Sequence, residues 1–221
     1  MGIIESGNAL PLEEFIKQYQ PNLSPFRDAV SGTSYSLRLE SAATLSAAAL
    51  ESCFSLIEQT SSELYEHSSV GWSPSGKRKE MRLPDLRYVL VTVAPSPSLS
   101  AATAPGAAES GDVEAVQGFM SFMLTYEDDH EVIYCYEIHL APSLRRCGLG
   151  RHLMGIMEDV GRAVRVEKLM LTVFVANTGG MNFYHRLGYA TDEFSPGPRK
   201  LRGGRVQLPS YTILSKSLRW P

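Results

Sequence analysis

Residues 141–154 read APSLRRCGLGRHLM. Ahead of them EVIYCYEIHL (131–140) has the β-branched and aromatic composition of a strand. Behind them Leu149, Leu153, Ile156, Val160 and Val164 recur on one face of a helix. A helix start presents unpaired N–H groups and the positive end of its dipole, so a loop that bends there without side chains can wrap an anion. Gly148 and Gly150 remove the side chains. Arg145, Arg146 and Arg151 add fixed positive charge of a geometry that suits phosphate. Taken alone, Gly-x-Gly is better read as a plain strand-to-helix turn with surface arginines. The loop has neither the third glycine of a dinucleotide fingerprint nor the Gly-Lys-Ser/Thr ending of a P-loop.

Working outward, VQGFMSFMLTY (116–126), the turn EDDH and EVIYCYEIHL form an antiparallel hairpin, with the acidic turn residues that a tight polar turn requires. KLMLTVF (168–174) is apolar on both faces, the mark of a buried central strand. RYVLVTVA (87–94) is another strand, and Ser34 to Leu39 a brief one. A helix is expected from about Ser41 to Tyr65, with Leu50, Phe54, Ile57 and Leu64 on one face, and a second from about Gly179 to Leu187, stopped by Gly188. Leu12 to Tyr19 forms a short helix behind Pro11, and two last strands lie near Tyr189 and from Tyr211 to Leu218. The order predicts an α/β fold, a mixed and mostly antiparallel sheet flanked by helices. An N-terminal helical extension (1–32) precedes the main domain (33–221). Residues 94–116 are rich in Pro, Ala, Ser and Gly without apolar periodicity, which predicts a disordered insert.

At 221 residues the chain is long enough for one domain with a substantial core. A formal net charge of -3 gives no sign of wholesale nucleic-acid binding. No apolar run has bilayer length and the N-terminus lacks a secretory pattern, so an intracellular protein is expected. Cys53, Cys135 and Cys147 are odd in number and widely spaced, which argues against a disulfide framework and a structural zinc. Met1-Gly2-Ile3-Ile4-Glu5-Ser6 meets the loose N-myristoylation pattern, though coincidence is the better reading. The basic runs KRK (77–79) and LRGGR (201–205) read as solvated loops.

Arg145-x-x-Gly148-x-Gly150, after a strand and opening a helix, resembles the pyrophosphate loop of the GNAT-type N-acetyltransferases. LTVFVANTGGMNFYHRLGY (171–189) is similar to that family's next strand, its Asn and its Phe-Tyr-x-x-Leu-Gly-Tyr helix ending. Within the family, YCYEIHL, RRCGLG, MLTVF, SYTILSK and YEHSSVGWSPSGKRKEM (65–81) resemble the N-terminal acetyltransferases of the NatD type. It departs from them at Val70, where an aromatic is expected, and at Tyr184, where they usually carry Phe.

The resemblance implies the GNAT fold, acetyl-CoA as donor, no metal and a location in nucleus and cytoplasm. It also implies a monomer acting on the α-amine of histone tails of the H-four and H-two-A types, which begin Ser-Gly-Arg-Gly. The alternatives are a GNAT enzyme acting on lysine or a small amine, and a binding module without turnover. Backbone groups of Ile138, His139 and Leu140 would meet the donor's carbonyl and pantetheine arm. Arg145, Arg146, Cys147, Gly148, Leu149, Gly150 and Arg151 would hold its diphosphate. Asn177 would bond its amide or, as Asn commonly does, cap a helix. Tyr65, Glu127, Tyr134, Tyr136, Thr172 and Tyr211 would line the peptide channel, with Trp72 packing helix on sheet. Asp128 or Asp129 would stand in for an acidic position that falls on Thr125. Tyr184 is either the acid for the departing thiolate or a core aromatic.

An α-amine has a pKa near 8 and is about one-tenth neutral at pH 7, so only a modest base is required. Glu137, in an otherwise apolar strand, is the candidate, directly or through a water; otherwise it is an edge Glu solvated at the strand end. Strict alternation puts Tyr134 and Tyr136 opposite to Cys135 and Glu137. For all to serve one site the strand must bulge or splay, as the family's fourth strand does.

Overall fold

The computed structural model describes residues 2–95, 115–200 and 202–218. All but the ends of the stretch expected as an insert, 94–116, lies outside the described residues. Two short helices, α1 (Ile3–Asn8) and α2 (Leu12–Tyr19), precede β1 (Phe26–Arg27) and β2 (Ser34–Ser41). Then come α3 (Ala47–Glu66), α4 (Pro74–Glu80), β3 (Arg87–Val93), β4 (Gly118–Glu127) and β5 (His130–Leu140). The chain continues through α5 (Leu149–Val164), β6 (Lys168–Phe174), α6 (Thr178–Arg186), β7 (Ala190–Thr191), β8 (Arg199–Lys200), β9 (Val206–Gln207) and β10 (Tyr211–Ser217).

Eight strands form one sheet in the order β1-β2-β3-β4-β5-β6-β10-β7. Every pairing in it is antiparallel except β5 with β6, which a helical crossover through α5 allows to run parallel. The α/β expectation is met, with helices on both faces. Phe15 of α2 and Leu153, Ile156 and Val160 of α5 bury one face over Leu37, Val89, Met120, Ile133 and Leu171. Leu50, Phe54 and Ile57 of α3 cover the other over Tyr88, Leu90 and Phe119. At roughly 1.5–3 kcal/mol for each large apolar side chain buried, these two layers are the main favourable term in folding.

The N-terminal helices are tied to the sheet by one buried cation. Arg87 donates to Gly7 O at 2.9 Å and to Asn8 Oδ1 at 3.2 Å, and its guanidinium lies 3.9 Å from the centre of the Phe15 ring. Asn8 in turn donates to Leu124 O at 2.9 Å.

The long helix starts at Ala47 rather than Ser41. Thr44 and Ser41 trade hydrogen bonds and the Thr44 hydroxyl donates to Glu40 at 2.6 Å, local bonds that hold a turn against helix. Ser46 then caps the helix by accepting from Ala49 N. The β4–β5 hairpin turns on two residues only, Asp128 and Asp129, both left-handed with φ of 46° and 65°. That is the geometry of a two-residue hairpin turn, in which Asp is tolerated.

Candidate active site

A bulge in β5 builds the site. Ser121 pairs with Glu137, but its neighbour Phe122 pairs with Cys135, so Tyr136 is an extra residue with no partner of its own. Directly paired residues share a face of the sheet. Cys135 therefore stays with Phe122 on the α5 side, while Glu137 and His139 go with Ser121 and Phe119 to the α3 side. Tyr134, opposite Met123, is on that side as well. One inserted residue has thus put Tyr134, Tyr136, Glu137 and His139 on a common face, which strict alternation forbids.

The second element is a splay. β5 pairs with β6 only from Val132↔Lys168 to Cys135↔Leu171, whereas β5 runs on to Leu140 and β6 to Phe174. The diverging ends enclose a cleft of about 1030 Å³. Along one wall the edge of β5 from Tyr136 to Leu140 has no strand beside it, leaving main-chain N–H and C=O groups turned to the opening.

At the end of that wall, a 3-10 turn (Pro142–Leu144) leads into α5. Its N-cap Gly148 is left-handed at φ 95° and no side chain caps the helix, so the first-turn N–H groups face outward uncovered. Arg145, Arg146 and Gly150 line the cleft there, and Arg145 Nε donates to Leu140 O at 3.3 Å. The other loop residues do not line it. Leu149 is fully buried in the core. Cys147 is half-buried with its thiol donating to Leu144 O at 3.1 Å. Gly148 and Arg151 border a separate, smaller depression with His152. Cys147, Gly148 and Leu149 can therefore serve an anion only through main-chain groups. The cradle fits a diphosphate: bare amides, no competing cap, and two guanidinium groups at its rim.

Across the cleft, Asn177 lines the wall and caps α6, its Oδ1 accepting from Gly180 N at 2.9 Å. The capping role is thus realised. Tyr184 lines the cleft yet is 9% exposed and packed with Phe183 and Tyr189. Burial raises its phenol pKa, with Cys135 and Glu137 adding to the effect. Thr172 and Tyr134 bond to each other at 2.6 Å, and burial pushes the Tyr134 phenol up to about 12 despite that bond. Tyr65, Tyr136, Glu127, Tyr211 and Val70 line the cleft too. Asp128 and Asp129 do not: they are consumed by the hairpin turn. Burial, followed by Asp128, raises the Glu127 carboxyl above its ordinary value. Trp72 stacks on Phe54 at 5.8 Å, as a packing residue.

The floor is a buried polar cluster, part of which the sequence reading missed. Residues 77–79 are not a solvated loop but the last turn of α4, and Lys77 is 7% exposed. Pro74 in the first turn and Ser73, which accepts from Gly76 N, start that helix. Lys77 Nζ donates to Tyr65 OH at 2.8 Å, Glu137 Oε1 at 2.8 Å and Glu80 Oε1 at 2.6 Å. Tyr65 donates to Glu137 Oε1 at 3.1 Å, and His139 Nε2 lies 2.6 Å from Glu137 Oε2.

The proton positions follow from counting. Thr60 gives its single hydroxyl hydrogen to Leu56 O at 2.6 Å, so it accepts from N–H at His139 Nδ1, 2.5 Å away. A lone pair at Nε2 would then face a carboxylate oxygen, so a proton lies between Nε2 and Glu137 Oε2. Burial alone would raise the Glu137 carboxyl, but His139 and Lys77 outweigh it and hold the group at about 2. Glu137 is therefore an ionised carboxylate whose two oxygens accept from Lys77, Tyr65 and His139. It is not the solvated edge residue that the sequence also allowed.

Residues 62–189 match the model of the Acetyltransferase (GNAT) family. The chain belongs to the GNAT acetyltransferase family. Among curated relatives, N-alpha-acetyltransferase 40 of Saccharomyces cerevisiae is 37% identical in an alignment 116 residues long that covers 41% of this chain and 41% of that protein. The alignment thus spans less than half the length of that relative. Two solved GNAT-type structures agree in fold. Arabidopsis thaliana NAA60 in complex with a bisubstrate analogue matches 83% of this chain and 100% of its own, with TM-score 0.54 and 10% identity. The PaiA N-acetyltransferase of Thermoplasma acidophilum, in complex with coenzyme A, matches 83% and 99%, with TM-score 0.53 and 15% identity. Among the described residues no helix is long and apolar enough to cross a membrane, and no group of three or more potential metal ligands occurs.

Proposed function

We propose that this GNAT chain transfers the acetyl group of acetyl-CoA to the α-amine at a polypeptide N-terminus, and that its substrates are histone tails beginning Ser-Gly-Arg-Gly. The observation that carries the reading is the cleft between the splayed β5 and β6, with an unpaired β5 edge leading to an uncapped helix start flanked by Arg145 and Arg146. The relationship to N-alpha-acetyltransferase 40 supports the α-amine part, and the acidic Glu127 at the cleft supports a basic tail.

Acetyl-CoA supplies an activated thioester: the amine nitrogen forms the N–C bond, the C–S bond breaks, and the thiolate takes up one proton while the nitrogen loses one. The residues of the chain position the partners. Backbone groups of β5 from Ile138 to Leu140 offer a ladder for the pantetheine arm, and the α5 start receives the diphosphate. Tyr134, Tyr136, Thr172 and Tyr211 form the walls around the incoming N-terminus. Glu137, held near pKa 2 by His139 and Lys77, is a weak proton acceptor. Its contribution is to fix Tyr65 and His139, with the amine proton passing to water in the open cleft. Tyr184, buried and with its pKa raised, stays protonated and available at neutral pH.

A peptide Ser-Gly-Arg-Gly-Lys incubated with the protein and acetyl-CoA, then fragmented in a mass spectrometer, decides the matter. Acetyl on the α-nitrogen with stoichiometric release of CoA is expected. Acetyl on the lysine alone would instead establish a lysine acetyltransferase, and peptide binding without CoA release a binding module.

A further inference from the structure

Lys77 places a fixed positive charge in the floor of a cleft proposed to receive an amine. All three of its ammonium hydrogens are used, on Tyr65, Glu137 and Glu80. The charged and titratable groups facing it are Glu80 on its own helix, Tyr65 from α3, Tyr88 from β3, and Glu137 with His139 from β5. The two carboxylates are matched by two positive charges, that of Lys77 and that of the proton between His139 and Glu137. No unmatched anion remains in this cluster to hold an incoming ammonium. Beside Lys77 such an ammonium would meet like charge in a partly dehydrated pocket, where repulsion is far stronger than in water. A neutral amine meets no such penalty.

We infer that Lys77 makes the cleft select its acceptor by protonation state, admitting the neutral amine and excluding the ammonium, and that this favours peptide α-amines over lysine side chains. The inference rests on the proposed acetyl transfer for the place where the amine sits. Its size follows from solution chemistry: at pH 7 about one-tenth of an α-amine is neutral, against about one part in 2,500 of a lysine amine, a preference of roughly 250-fold. Lys77 is thereby a specificity-determining residue, which acts by its charge without taking the proton. Its own pKa is raised, because Glu137, Tyr65 and Glu80 together overcome the opposing effect of burial. It keeps its charge throughout the useful pH range.

Two measurements test this. The first is calorimetric titration of the CoA-loaded wild-type protein with the Ser-Gly-Arg-Gly-Lys peptide at pH 7, in buffers of different ionisation enthalpy. Binding of the neutral amine releases about 0.9 proton per peptide. Release near zero means that the ammonium binds, and overturns the inference without touching the transfer reaction. The second is the split between kcat and KM from pH 6 to 7.5. In the wild type KM falls about tenfold per pH unit and kcat stays flat, because only the neutral amine enters; in Lys77→Met, where Glu137 is left unbalanced, KM becomes flat and kcat carries the slope. Lys77→Arg keeps the wild-type split. A wild type whose KM is flat overturns the inference even if Lys77→Met fails to fold, and so does a folded Lys77→Met with the wild-type split. Complete absence of acetyl transfer, with proton release intact, would instead strike the proposed function.

Discussion

Glu137→Gln gives a measure of the buried cluster that is independent of catalysis. Gln keeps the shape of Glu. Its carbonyl oxygen can accept from Tyr65 and Lys77, and its amide can donate to His139 Nε2 once the proton between the two groups is gone. What the substitution removes is the charge. Holding a carboxyl at about 2 instead of the ordinary 4.5 corresponds to about 3 kcal/mol of folding free energy. Burial works against this figure; His139 first and Lys77 second produce it. Because the folded-state pKa is depressed, the contribution is complete above the unfolded value near 4.5 and is lost as pH falls through about 2. Urea unfolding of both proteins, repeated from pH 7 to pH 3, reads the difference directly. Other paired carboxylates, such as Asp192 and Glu158, are common to both and cancel. A gap of about 3 kcal/mol at pH 7 that shrinks steadily below pH 4.5 is expected. A gap that stays constant down to pH 3, or a variant as stable as the wild type at pH 7, would show that Glu137 is not held by its cationic neighbours.

Arg87→Leu removes the bonds to Gly7 and Asn8 and the contact with Phe15; a loss of about 2–3 kcal/mol is expected, with faster tryptic cleavage at Lys17 in a timed digest. Gly161→Val drives a side chain into Leu218, Leu169 and Ile133, already 2.9–3.1 Å from a Cβ at that position. Overpacking of about 2 kcal/mol should lower Tm by roughly 5 °C in a thermal scan. Replacing Arg145 and Arg146 together by Gln should raise KM for acetyl-CoA at least about tenfold and flatten its dependence on salt, while kcat changes by less than about threefold, as steady-state kinetics at 50 and 300 mM salt would reveal.

Elements whose identity rests on periodicity were legible in the sequence. The alternating hairpin, the doubly apolar β6 and the 3.6-residue stripe of α5 all lie where the pattern puts them, within two or three residues. The uncapped turn into α5 was also legible, since its glycines and arginines are contiguous. The need for a break in β5 could be deduced from the parity of Tyr134, Tyr136 and Glu137, though its place at Tyr136 could not. Lys77 was hidden for a different reason. Its neighbours Arg78 and Lys79 make it look like one of three solvated charges, and only the turn of α4 separates the one that points inward. The weak clue was Ser73-Pro74, a helix start signal ahead of the basic run. His139 likewise acquires its part from Thr60, seventy-nine positions away, a distance no local pattern spans.

The unpartnered Tyr136 makes β5 a strand with two addressing schemes. Up to Cys135, odd positions belong to the hydrophobic interior beneath α5; from Glu137 onward, odd positions belong to the cleft. Drawing this tyrosine into the ladder opposite Ser121 would oppose Glu137 to Met120 and turn a carboxylate and an imidazole toward the α5 face, while Ile138 and Leu140 faced the other way; excising it would leave Glu137 opposite Ser121. Any sequence change in this strand therefore has to be read by its side of position 136, because straightening the strand there, with no residue lost, would exchange the surroundings of every downstream side chain without altering a single letter of them.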